Sequence, residues 1–223
     1  MREETIQSIL NHKLIVIVRG VPVKSIVRTA EAMVKGGIRL LEITFDAQHR
    51  ERNEETAEAI RLLNRTFSGV LRVGAGTVLS PLQLQMAQQA GAEYIISPDT
   101  NEEIIRRTQK CGLVSIPGAM TPTEIQTAHA AGADFVKVFP VSSLGASYIR
   151  AVCAPLSHIR LLAVGSVSPE NLMDYLEAGA VGAGIGGKIV DPQKIAQGQF
   201  EELTERAKHY TRLISAQKKE GIE

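Results

Sequence analysis

The sequence predicts an α/β fold, a single closed (β/α)8 TIM barrel spanning residues 1–223 with an N-terminal helix and a C-terminal helical extension. Three observations predict it. Apolar runs of strand length alternate with helical patterns eight times, helices open on a repeated hydroxyl–proline signal, and others close on a repeated glycine junction. A chain of 223 residues, 44% of them hydrophobic, buries a substantial core, and barrels of this size form one domain. Uninterrupted βα units favour closure over an open doubly wound sheet, because closure removes both exposed edges and the helices cover the outer face.

The N-terminal stretch MREETIQSILNHK reads as a short helix, with charged residues where a secretory signal needs an apolar region. LIVIVR follows, too apolar to alternate, so it is a strand buried on both faces. Beyond Gly20 and Pro22, Val23, Ile26, Val27, Ala30, Met33 and Val34 recur at helical spacing and stop at Gly36-Gly37. The alternation continues through strands near Leu40–Phe45, Val70–Ala75, Tyr94–Ser97, Val114–Ile116, Phe135–Phe139, Ile159–Val164 and Val181–Ile185. Three helices are predicted to start at Ser80-Pro81, Thr121-Pro122 and Ser168-Pro169, each with a hydroxyl N-cap and proline at the first helical position. After Asp191-Pro192 the chain ends in a helix rich in Lys and Glu, expected to be solvated.

Composition excludes several functions. Lys and Arg number 25 against 24 Asp and Glu, and no basic block offers a nucleic-acid footprint. No apolar run reaches membrane-spanning length. Cys111 and Cys153 lie far apart without metal-ligand spacing, which fits a reducing cytoplasm. His12, His49, His129, His158 and His209 are scattered, so no metal site is expected and a metal-assisted reaction is the weaker enzyme reading.

The junction repeats as GGIRLLEI, AGAEYIIS, AGADFVKV and AGAVGAGI, ahead of even-numbered strands. Five residues beyond the repeat glycines Gly37, Gly91, Gly132 and Gly179 stand Glu42, Ile96, Lys137 and Gly184. Barrel interiors are layered from alternate strands, so these four are expected at one depth, with Glu42 and Lys137 facing each other and Gly184 leaving room beside them. Lys and Glu are almost never buried unless paired. A structural ion pair is the competing reading, but such pairs rarely stabilise better than apolar packing. Desolvation lowers a lysine pKa and yields a neutral amine able to attack a ketone, which assigns Lys137 to Schiff-base formation and Glu42 to proton transfer.

The elements VIVRG, LEITF, VGAGTV, IISP, SIPGAMTPTE, FVKVFP, AVGSVSPENL and GAGIGG, in order from about Leu14 to Val190, resemble the aldolases of 2-keto-3-deoxy-6-phosphogluconate (KDPG) and 4-hydroxy-2-oxoglutarate (KHG), including their 6-phosphogalactonate relatives. The resemblance implies a metal-free, cofactor-free class I aldolase barrel, a homotrimer, that cleaves a small-molecule keto acid to pyruvate and an aldehyde. It assigns the Schiff base to Lys137 and general acid/base work to Glu42. Arg19 matches an arginine that holds the substrate carboxylate, a role suited to a guanidinium. The alternative arginine of some relatives, four residues after the glutamate, is Asp46 here. Thr77 matches a hydroxyl that contacts pyruvate, Pro98 and Pro117 are expected to shape the pocket walls, and Phe139 to pack beside the imine.

Gly165-Ser166 and Gly186-Gly187 follow strands 7 and 8, where barrels bind phosphate through backbone N–H groups. Here the sequence departs from the family: AVGS replaces TGG, and GGK leaves no serine at Gly187 but adds Lys188. The expected activity is cleavage of a 2-keto-3-deoxy-6-phospho sugar acid, or of 4-hydroxy-2-oxoglutarate. The alternatives are a phosphogalactonate aldolase and a non-catalytic sugar-phosphate-binding barrel.

Overall fold

A computed structural model describes residues 2–220 of the chain. Its strands are β1 (Leu14–Val18), β2 (Leu40–Thr44), β3 (Arg72–Gly76), β4 (Tyr94–Ile96), β5 (Val114–Ile116), β6 (Gly118–Ala119), β7 (Val136–Val138), β8 (Leu161–Val164) and β9 (Gly182–Ile185). They form one parallel ladder in the order β5-β4-β3-β2-β1-β9-β8-β7-β6. The ladder's two ends are halves of a single strand. Pro117 lacks an N–H and interrupts it, so β5 pairs with β4 on one side and β6 with β7 on the other. The expected eight-stranded TIM barrel is thus present, with its fifth strand split. The Pro117 carbonyl accepts the backbone N–H of Lys137 at 2.8 Å, which holds β7 across the break.

Among the described residues ten α-helices surround the strands: α1 (Arg2–His12), α2 (Val23–Lys35), α3 (Asn53–Thr66), α4 (Pro81–Gln89), α5 (Glu102–Lys110), α6 (Pro122–Ala130), α7 (Gly145–Cys153), α8 (Leu172–Glu177), α9 (Pro192–Ala196) and α10 (Phe200–Glu220). The glycine junction has one physical form throughout. Gly37, Gly91, Gly132 and Gly179 take φ of 87°, 86°, 106° and 112°, the left-handed region that glycine enters without strain. Each junction closes with the same backbone bond, Ile38 N–H to Met33 O, Ala92 to Ala87, Ala133 to Ala128 and Ala180 to Tyr175. Identical exits deliver the chain into β2, β4, β7 and β9 at the same phase. Two expected caps form. Ser80 Oγ accepts Gln83 N–H, and Thr121 builds a full capping box with Glu124. The third does not: residues 168–171 make a turn in which Asn171 Oδ1 accepts Ser168 N–H at 2.8 Å, and α8 starts at Leu172. The third strand likewise begins at Arg72, because Val70 and Leu71 still turn onto Phe67 O.

Two apolar layers result. The outer one lies between strands and helices. The inner one fills the barrel with Ile15, Leu40, Tyr94, Ile96, Val114, Ile116, Phe135 and Leu162, and α1 closes its lower end with Ile6 and Ile9. Arg2 pairs with Asp134 at 2.6 Å, and Thr5 and Arg72 both bond Glu93, which fastens this plug to the strands. The extension α10 differs from the solvated helix expected. Leu203, Ala207, Tyr210 and Ile214 form a buried face. It docks on α2 because Gly36 has no side chain, since a Cβ there would lie 2.4 Å from Ala207 Cβ. Thr204 and Thr211 hydroxyls donate to Ala32 O and Gly36 O at 3.1 and 2.8 Å. No helix of the described residues is long and apolar enough to cross a membrane.

Candidate active site

A cavity of about 950 Å³ opens at the carboxyl ends of the strands. Arg19, Thr77, Pro98, Lys137, Phe139, Gly165, Ser166, Gly186, Gly187 and Lys188 all line it. These residues come from six separate βα junctions. Sequence reasoning missed the apolar wall made by Ile17, Leu79, Val164, Val167 and Val190. These side chains carry no chemistry, so only their position in the fold reveals them. Pro117 is a correction: it does not line the cavity but splits the strand below it.

Glu42 lies in the barrel interior, 2% exposed, and Lys137 is 6% exposed. The glycines of VGAGTV make the space for this. A Cβ on Gly76 would fall 1.8 Å from Glu42 Oε1, and one on Gly74 would fall 2.1 Å from the Tyr94 ring. Gly184 serves similarly on the far side, where Ile17 and Val164 fill the volume its side chain would take. Ile96, the fourth residue of the repeat, packs into the inner apolar layer instead of lining the cavity.

Burial raises the Glu42 pKa, while the charges of Lys137 and Arg19 pull it partly back. Burial lowers the Lys137 pKa; Glu42 opposes that shift and Arg19 reinforces it. Both groups are therefore pushed toward their neutral forms. Among the described residues neither makes an ion pair within 4.0 Å, so the structural salt bridge weighed above is not what occupies this interior. The Lys137 Nζ instead sits 4.7 Å from the Phe139 ring centroid, and that ring is 38% exposed to the cavity.

Arg19 stands at the exposed end of β1, lines the cavity and makes no ion pair among the described residues. Asp46 has a local task. Its Oδ1 accepts the N–H groups of Gln48 and His49 at 2.9 and 3.3 Å, and those bonds hold its carboxyl below the usual range. Thr77 and Ser166 both take φ of 57°, a conformation that costs a non-glycine residue about 1 kcal/mol or more and that proteins keep mainly at functional positions. The loop holding Ser166 offers the Ser166 and Val167 N–H groups, and the loop after β9 offers those of Gly187 and Lys188. Among the described residues none of the four has a protein acceptor. Paired loops with free N–H groups are the kind of concavity in which proteins bind anions. Lys188 lies close enough to Glu170 to help depress that carboxyl, behind a larger effect from the Ser168 hydroxyl.

A parallel barrel with a buried amine and carboxyl below a mouth lined by Arg19, Lys188 and glycine-rich loops fits a class, the carbon–carbon lyases that work on keto compounds. Known proteins narrow it. Residues 6–206 match the family of KDPG and KHG aldolases. The chain is 36% identical over 177 residues to the 2-dehydro-3-deoxy-6-phosphogalactonate aldolase of Escherichia coli, covering 79% of this chain and 83% of that one. It is 34% identical over 204 residues to the 2-dehydro-3-deoxy-phosphogluconate aldolase of Treponema pallidum, covering 88% and 94%. A Legionella pneumophila KDPG aldolase, solved with pyruvate captured as a covalent carbinolamine, superposes with a TM-score of 0.81 at 25% identity over 91% of this chain and 96% of that one. The chain belongs to the KDPG and KHG aldolase family, and it is an aldolase.

Proposed function

We propose that one barrel domain spanning the chain cleaves a 2-keto-3-deoxy-6-phospho sugar acid of the gluconate type to pyruvate and glyceraldehyde 3-phosphate, or 4-hydroxy-2-oxoglutarate to pyruvate and glyoxylate, through a Schiff base on Lys137. The observation that carries this is Lys137 itself, a buried amine with a depressed pKa at a cavity wall and with no carboxylate fixed to it. The carbinolamine of the Legionella relative supports the same chemistry. The neutral amine attacks the C2 carbonyl. Glu42, whose pKa burial raises, gives a proton to the departing hydroxyl, and loss of water leaves the imine. The imine then accepts the electrons of the C3–C4 bond while the Glu42 carboxylate takes the C4 hydroxyl proton, directly or through water, and the aldehyde leaves. Protonation of the enamine at C3 and hydrolysis release pyruvate and restore the amine. Arg19 and Thr77 hold the substrate carboxylate, Pro98 and Phe139 form the walls beside the imine, and Gly165, Ser166, Gly186, Gly187 and Lys188 hold the distal phosphate.

A phosphogalactonate substrate is the second reading, favoured by the AVGSVSPENL segment and by the Escherichia coli relative. We further propose a cytoplasmic homotrimer, supported by the family resemblance; Leu82 and Met120 are exposed apolar side chains that a contact between subunits could cover. Treatment with pyruvate and borohydride tests the central claim. A covalent adduct on Lys137 is expected; activity abolished by a chelator with no adduct would overturn it. Comparing kcat/KM for the gluconate, galactonate and oxoglutarate substrates then selects the aldehyde half.

A further inference from the structure

The family match stops at residue 206, but α10 continues, and its next buried aromatic reaches the rim of the cavity. Tyr210 is 2% exposed and donates its hydroxyl to the Val167 carbonyl at 3.3 Å. Val167 lines the cavity and directly follows Ser166 in its left-handed conformation. Asn171 grips the same loop from the other side: its Oδ1 accepts Ser168 N–H at 2.8 Å and its Nδ2 donates to Ser166 O at 3.4 Å. The Val167–Ser168 peptide is therefore held at both ends, by Tyr210 on its oxygen and by Asn171 on its N–H.

A trans peptide is rigid, with the carbonyl of one residue pointing opposite to the N–H of the next. Asn171 on Ser166 O therefore orients the peptide that carries the Val167 N–H, and Tyr210 on Val167 O holds the following peptide, so that the Val167 backbone is pinned on both sides. Ser166 occupies a narrow basin of backbone conformation, so the peptides flanking it need outside anchors to stay put. We infer that Tyr210 is a positioning residue, clamping the β8–α8 loop so that the Ser166 and Val167 N–H groups stay aimed at the distal anion of the substrate. The inference rests on reading this loop as the anion site. Burial pushes the Tyr210 hydroxyl up to about 12, so it stays a donor throughout the neutral range.

The test compares Tyr210→Phe with Thr211→Val. Thr211 anchors the same helix to Gly36 O at 2.8 Å and does not touch the loop, so it reports helix docking alone. Loss of one hydrogen bond predicts that Tyr210→Phe raises KM for 2-keto-3-deoxy-6-phosphogluconate about fivefold, with kcat and pyruvate trapping unchanged. The inhibition constant of inorganic phosphate should rise by the same factor. Thr211→Val should leave both values in place. The clamp is overturned if wild type is inhibited by phosphate and Tyr210→Phe is inhibited equally, or if Thr211→Val raises KM as much. Failure of phosphate to inhibit the wild type overturns the anion-site reading instead, and the clamp with it.

Discussion

Lys137 and Glu42 show how two residues can be improbable separately and reasonable together. Each is desolvated, and each is held partway back from neutrality by the other's charge. The sign of a substitution follows. Glu42 raises the Lys137 pKa, so Glu42→Gln removes that support and lets burial and Arg19 lower it further. Trapping by pyruvate speeds up as the amine loses its proton, so its rising limb should move to lower pH in Glu42→Gln. Turnover should fall by about 100-fold or more, the loss typical of a removed acid/base group. Trapping rate against pH, measured beside steady-state turnover, checks both; a limb that does not move would show that Glu42 does not act on the lysine, and one displaced to higher pH would reverse the sign. Both residues were legible in the sequence because the glycine repeat sets their phase and because charge in an apolar strand is conspicuous. Tyr94 was not. Nothing in AGAEYIIS reveals that its ring fills the space above Gly74, with its hydroxyl buried and unpartnered among the described residues.

At the level of elements, legibility depended on whether the signal was local. The four helix exits were visible because one backbone conformation demands one residue, and glycine supplied it each time. The split of the fifth strand was hidden, since Pro117 reads equally well as the end of a strand and as a break within a longer one. The buried face of α10 was hidden for another reason: Leu203, Ala207, Tyr210 and Ile214 are spaced for one helical face, but the Lys and Glu between them dominate the composition. What fixes the docking is distant in sequence, the missing side chain at Gly36. Gly36→Ala should thus force α10 outward and destabilise the fold by about 1–3 kcal/mol, the usual cost of overpacking. Urea unfolding of the variant measures it. If stability rises instead, as glycine replacement in an undemanding helix end would allow, the helix–helix contact is not limiting.

The whole molecule is a barrel closed below and open above, and the closure serves the chemistry. Ile6 and Ile9 of α1 pack with the inner layer that underlies Glu42 and Lys137, so the plug keeps water from reaching the pair from beneath. Stability and catalysis should nevertheless respond differently when the plug is trimmed. Ile9 is fully buried, and Ile9→Ala should cost roughly 3 kcal/mol, partly as lost transfer energy and partly as a cavity. In a chain of this size that lowers Tm by roughly 6–12 °C. The cavity would open within the inner apolar cluster to which Ile9 belongs, and an apolar cavity of this kind stays dry. Desolvation is the largest influence on both catalytic groups, so with no water admitted their pKa values should hold. The variant should therefore melt earlier yet keep the wild-type pH limb for pyruvate trapping, as calorimetry and the trapping profile together would show. A limb moved to higher pH would mean that the lysine had been rehydrated and had regained its ordinary basicity. Keeping the floor dry would then be part of the catalytic apparatus, rather than only of the fold.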